Sequence, residues 1–317
     1  MRSPLLSFIG MEREVPVLKK NRRIWNKITP YSMIAPFFIL YFVFSLFPII
    51  YSFYISFFSW DGFGDKLFVG FANYIRVFTQ DTKFYRSILN TVIIFCFTIP
   101  LEVSLGLFTA TVLKDFFHKT RNGFQLVNFL PYITTPVAIG IIFALMFDWK
   151  SGVVNAVIQI FGIDPVYWLG TPWASRAVVI FMVVWKGYGY VMVMFLSGLS
   201  TIPDELYEAA RIDGASWWQS FRKITIPMLR PIFVFVITTS IINAWKLFDE
   251  PQLLFQGSSQ PLGGSERAVL TVVMRYYEAA FRDFEFGYGA AFAYVLALLI
   301  AVFSIISVKV TNKDNLV

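Results

Sequence analysis

Long apolar runs alternate with shorter polar stretches along the 317 residues. Each run is about 20 residues or more, which is the length an α-helix needs to cross a hydrocarbon core about 30 Å thick. Spans are predicted over 32–58, 87–113, 126–147, 176–199, 231–255 and 286–308. Pro36, Pro48, Pro100, Pro131 and Pro136 fall inside them and are tolerable there, because neighbouring helices satisfy the backbone groups that proline frees. Stretches 60–86, 148–175 and 256–284 contain Gly and Pro turn signals and predict loops on one side, with short surface helices over 73–78 and 153–161. The pattern predicts an all-α integral membrane protein. It has a basic tail over 1–31, a six-helix transmembrane domain over 32–308 and a short tail over 309–317.

The polar island over 200–230 has its own internal order. Pro203 suits a first helical turn, and Asp204 and Glu205 complement the positive end of the helix dipole. Leu206, Ala209, Ala210 and Ile212 make an apolar side, Glu208 and Arg211 stay polar, and Asp213-Gly214 supplies a stop. Ser216 followed by Gln219 fits a capping box, so a second helix is expected through Phe221 and Ile224 to Pro227. The expectation is helix, sharp glycine turn, helix.

Composition agrees with a membrane protein: 57% of residues are hydrophobic and 15% charged, against about a quarter charged in soluble domains. The net charge of +7 comes from the distribution of basic residues rather than from a nucleic-acid face. Of 27 Lys and Arg, 16 lie in the two tails and in 114–125 and 200–230, and 9 lie in the other three loops, counting Arg176 at the edge of 148–175. That bias predicts both termini and the polar island on the cytoplasmic side. One cysteine, Cys96, cannot form a disulfide within the chain, and one histidine, His118, cannot assemble a His/Cys metal cluster.

Glu208-Ala209-Ala210, Asp213-Gly214-Ala215, Phe221, Ile224, Pro227 and Pro231 together resemble the EAA loop of permease subunits of bacterial ABC importers. Asn90-Thr91, Leu130-Pro131, Trp185-Lys186-Gly187, Leu196-Ser197-Gly198-Leu199, Phe248-Asp249 and Phe286-Gly287-Tyr288-Gly289 resemble its carbohydrate-uptake branch. The turn cluster Gly257–Gly264 departs from that branch's compact Gly-Gly-Pro turn. The resemblance implies the type I ABC importer permease fold, in the inner membrane, with a coupling helix that docks on an ATP-binding subunit. It also implies a second homologous permease, two ATP-binding subunits and an extracytoplasmic solute-binding protein as partners.

No G-x-x-x-x-G-K-[ST] is present, so ATP and magnesium are expected on the partner ATPase and no cofactor on this chain. The expected coupling residues are Glu208, Ala209, Ala210, Asp213, Gly214, Leu206, Tyr207 and Ile212. Glu208 is expected to pair with an arginine of the ATPase, or else locally with Arg211. Sugars present hydroxyls to planar polar groups and C–H faces to aromatic rings. Asn243, Trp245, Lys246, Trp185, Tyr188, Tyr190 and Glu102 are therefore expected along the substrate path. Charges within spans are costly unless paired or facing a cavity; Lys186 and Lys246 are expected either to snorkel or to pair with Glu102, while Asp249 and Glu250 sit near the outer end. Two alternatives stay open: an acidic or phosphorylated solute, and an ion-coupled secondary transporter using the same charges.

Overall fold

The computed structural model describes residues 19–115, 120–255 and 260–312. His118, Gly257 and the end of the C-terminal tail lie outside the described residues. The chain divides into two compact units, 1–54 and 55–317.

In the first unit, α1 (Lys19–Tyr41) continues through a π-helical turn at Phe42–Leu46 into α2 (Phe47–Ile55). Pro48 has no N–H to donate, and immediately before it the ladder shifts register, with the Phe47 N–H donating to the Phe42 carbonyl five residues back. Helical spacing stacks Phe37 on Tyr41 and Phe47 on Tyr51.

The second unit opens with a short antiparallel hairpin, β1 (Phe58–Ser59) and β2 (Leu67–Phe68), followed by α3 (Ala72–Thr79). The long helix α4 (Thr82–Asp115) comes next, then α5 (Arg121–Ile133), α6 (Pro136–Met146), α7 (Val153–Ile160) and α8 (Pro172–Leu199). α4 and α8 pack along each other. Their contact needs Gly106, since a Cβ there would sit 2.6 Å from Val191 Cγ1. Ala110, Leu113, Met192, Phe195 and Leu199 close this seam into a core.

Two of the predicted spans are not continuous. The third is bent by 92° between α5 and α6. Thr134 and Thr135 are extended there, because a residue before proline is pushed out of the helical region and Thr135 precedes Pro136. The fifth span, α12 (Arg230–Trp245), stops ten residues before the predicted end at 255. A separate helix, α13 (Asp249–Leu254), restarts the chain. Asp249, Glu250 and Pro251 form a helix start, with two carboxylates and a proline in the first turn.

The loop predicted over 256–284 also differs from expectation. It contains α14 (Val272–Tyr277) and a π-helical turn over Glu278–Arg282, and Val269, Leu270, Thr271 and Val272 are fully buried. The chain ends in α15 (Phe286–Asn312). Among the described residues, four helices are long and apolar enough to cross a membrane, and up to six spans result when each of two bent pairs counts as one: α5 with α6, and the helical stretch Trp217–Met228 with α12.

Candidate functional site

Both breaks open onto one cavity of about 650 Å³. Its wall is formed by Thr98 and Glu102 of α4, Lys186, Gly187 and Tyr190 of α8, Tyr132 to Pro136 at the first break, and Asn243, Ala244 and Lys246 to Glu250 around the second. Unwound backbone within a membrane is tolerable where it lines such a space, and discontinuous helices commonly surround transporter sites. Lys186 Nζ lies 2.6 Å from Glu250 Oε1, with side chains only 18% and 13% exposed. Glu102 is 8% exposed and packs against Gly187, where a Cβ would approach Glu102 Oε1 to 2.5 Å. Tyr190 stacks on Tyr132, with centroids 4.8 Å apart and planes at 17°.

Of the residues expected along the path, Glu102, Tyr190, Asn243 and Lys246 line this cavity. Three others are placed elsewhere. Trp245 is fully buried between Phe95 and Phe303, and its indole N–H has no hydrogen-bond partner. Tyr188 donates its hydroxyl to Asn128 Oδ1 at 2.6 Å and ties α8 to α5. Trp185 packs on Phe143. The helical period explains the split on α8, since Lys186 and Tyr190 are four apart and share a face that Trp185 and Tyr188 flank. The expected pairing of Glu102 with a lysine is replaced by the Lys186–Glu250 bridge, and Glu250 sits in the cavity wall rather than only capping an outer end.

The polar island folds as expected in outline. α9 (Asp204–Ile212) begins after Pro203, which occupies the N-cap rather than the first turn. The chain reverses at Gly214, whose φ of +77° penalises any side chain although the space around it is open. Ser216 and Gln219 close a full capping box on α10 (Trp217–Ser220), which continues through a π-helical turn over Phe221–Thr225 into α11 (Ile226–Met228). Ile212 is 87% exposed, and Leu206, Glu208, Ala209, Asp213 and Gly214 are exposed beside it. None of the ion pairs among the described residues involves Glu208. Tyr207 turns inward instead: its hydroxyl bonds Thr225 Oγ1 at 2.9 Å, and the Lys114 ammonium sits 4.6 Å over its ring. Burial raises its phenol above the ordinary value. Trp217 donates its indole N–H to Asp115 Oδ2 at 2.9 Å, fastening the hairpin to the end of α4.

A family model described as a binding-protein-dependent transport system inner membrane component matches residues 81–311. The chain belongs to this family. The permease is 35% identical over 289 residues to the arabinooligosaccharides transport system permease protein AraP of Bacillus subtilis, covering 91% of this chain and 90% of that one. It is 34% identical to the lactose transport system permease protein LacF of Rhizobium radiobacter, over 90% and 95% of the two chains. A trehalose/maltose transport system permease protein, MalF of Thermococcus litoralis, is 31% identical over 88% and 92%. Its fold matches a chain from the crystal structure of a bacterial ABC transporter involved in the import of the acidic polysaccharide alginate. The TM-score is 0.80 at 22% identity, covering 92% of this chain and 99% of that one.

The permease carries a second constellation that sequence reasoning missed. Arg275 bonds Asp81 and Glu278 at 2.9 and 3.1 Å, Arg267 reaches Glu278 at 2.7 Å, and Tyr288 donates to Asp81 Oδ2 at 2.7 Å. Asn90 and Thr91 hold the same segment, through the Arg267 and Leu270 carbonyls and the Val272 N–H. The available signal was the apolar run Ala268–Val273 with Thr271 inside it, whose hydroxyl caps α14.

Proposed function

We propose that this permease is one membrane-embedded half of an ATP-driven importer for an oligosaccharide or related sugar. A second, related permease supplies the other half of the path, and an extracytoplasmic binding protein delivers the solute. Two ATP-binding subunits hold ATP and magnesium, and this chain binds no cofactor. Both termini and the hairpin lie in the cytoplasm, as the excess of Lys and Arg in those segments favours.

The observation that carries this reading is the braced hairpin presenting Ile212 and the unpaired Glu208 to the outside. An exposed isoleucine beside an unpaired carboxylate, on a helix anchored from behind by Tyr207 and Trp217, suits a docking surface rather than a solvated one. Leu206, Glu208, Ala209, Ile212, Asp213 and Gly214 form that surface, while Tyr207 and Ala210 brace it. Closure of the ATP-binding subunits moves the hairpin and shifts the two-state equilibrium between inward-open and outward-open paths. The sugar assignment is supported by the relatives named for arabinooligosaccharides, lactose and trehalose/maltose. Glu102, Tyr190, Asn243 and Lys246 contribute the substrate contacts of this half.

The test is purification of the assembled complex on this subunit into lipid nanodiscs, with ATPase and uptake assays. Glu208→Ala is expected to leave assembly intact and to lower uptake at least about tenfold, as loss of a paired interfacial charge does. Unchanged uptake would remove Glu208 from the coupling role, and absence of any ATP-binding subunit from the complex would overturn the importer reading.

A further inference from the structure

Resting on that reading, we infer that the cavity of this permease selects uncharged saccharides and rejects anionic ones, with Glu250 setting the preference by occupying the charge of Lys186. Two ammonium groups, Lys186 and Lys246, face the cavity and by themselves would favour a uronate or a phosphorylated sugar. Lys186 is already committed. Its ammonium lies 2.6 Å from Glu250 in a mostly buried bridge, and a solute carboxylate would have to displace a short charge-assisted hydrogen bond to reach it. The remaining charges are matched in number: Asp249 and Glu250 line the same wall as the two lysines.

Glu102 adds a geometric argument. It is buried at the wall beside the bridge, held against the bare backbone of Gly187, and takes part in no ion pair or hydrogen bond among the described residues. A sugar hydroxyl can donate to its carboxyl oxygen. Asn243 offers both donor and acceptor at the opposite break, and the stacked Tyr132–Tyr190 pair offers an aromatic surface and two hydroxyls. Every polar group left uncommitted on this side of the cavity, apart from Lys246, suits a neutral polyhydroxyl ligand. The structural neighbour involved in alginate import shares the fold alone at 22% identity and does not bear on this selectivity.

The experiment is equilibrium binding of two radiolabelled probes, a neutral hexose trisaccharide and a uronate trisaccharide, to the complete nanodisc complex. Wild type is expected to bind the uronate at least about tenfold more weakly than the neutral probe, reflecting the cost of breaking the buried Lys186–Glu250 pair to reach the ammonium. Glu250→Gln frees Lys186 and is expected to bring the uronate to within a few-fold of the neutral probe. The double variant Lys186→Gln/Glu250→Gln removes both charges and is expected to restore the discrimination. It also decides the matter where the single variant fails to assemble on gel filtration. Equal binding of the two probes by wild type overturns the inference, as does an assembled Glu250→Gln complex with unchanged discrimination. So does an ATP-hydrolysing complex that binds neither probe. A complex lacking an ATP-binding subunit counts instead against the importer reading.

Discussion

Arg275 has lost most of its water and is compensated on two sides, by Asp81 from the start of α4 and Glu278 from its own helix. Burial alone would push the Asp81 carboxyl up. The hydrogen bonds from Tyr288 and Arg275 and the Arg275 charge outweigh it and hold the group below its ordinary value of 3.8. Glu278 behaves alike: burial raises it, and Arg267 first, then Lys83 and Arg275, bring it below 4.5. A carboxylate with a depressed native pKa contributes stability that is complete above its unfolded value and is lost as pH falls through the native one. Thermal unfolding of the purified complex should therefore be nearly flat from neutral pH to about 5 and decline below about 4.5. Asp81→Asn should lower stability by about 3–5 kcal/mol at neutral pH, since it leaves a buried guanidinium short of its partner. It should also flatten the acid limb. A melting curve unchanged by Asp81→Asn at pH 7 would show that the bridge contributes no more than an apolar contact.

Among the elements, the α9–α10 hairpin was legible because its signals are local: Asp204-Glu205 at one end, Asp213-Gly214 at the turn and Ser216 with Gln219 at the next start. The broken fifth span was not. Past Trp245 its apolar residues resume at Leu247 and Phe248 after the single Lys246, and only Asp249-Glu250-Pro251, read as charges near an outer end, announced a new helix. The position of Glu250 opposite Lys186 follows from that restart, so the error in the element became an error in the site. Trp185, Tyr188 and Trp245 were chosen by residue type, whereas the facing of each side chain is set by tertiary packing. α4 links the two functional regions, with Glu102 in the cavity and Asp115 bonded to Trp217 of the hairpin. Trp217→Phe keeps the stack on Phe221, now 5.3 Å between centroids, but removes the indole donor. Loss of one such bond, worth about 1 kcal/mol, should reduce stimulation of ATPase by loaded binding protein about fivefold while basal hydrolysis persists. Equal stimulation in the variant would mean that α4 is not driven through Asp115.

For the molecule as a whole, the number of crossings depends on whether the chain bent by 92° between α5 and α6 traverses the bilayer or re-enters on one side. The charge distribution argues for a full crossing. Basic residues concentrate in the two tails, 114–125 and 200–230, and a re-entrant α5–α6 pair would put 121 and 150 on the same face and spoil that alternation. A crossing also places the broken backbone at Thr134 and Thr135 at the depth of Glu102 and Lys186, where they jointly line the cavity. Because Cys96 is the chain's one cysteine, Cys96→Ala gives a background for single-cysteine labelling with a membrane-impermeant maleimide. Lys150→Cys and Glu266→Cys should react in intact spheroplasts, and Asn122→Cys and Asp213→Cys only after lysis. Reaction of Lys150→Cys and Asn122→Cys from the same side would make the α5–α6 pair re-entrant. Reaction of Asp213→Cys from outside would reverse the chain and separate the hairpin from any cytoplasmic ATPase. The expected pattern, with 122 and 150 on opposite faces and 213 inside, requires the third span to cross despite its bend and gives the hairpin access to the nucleotide-binding partner.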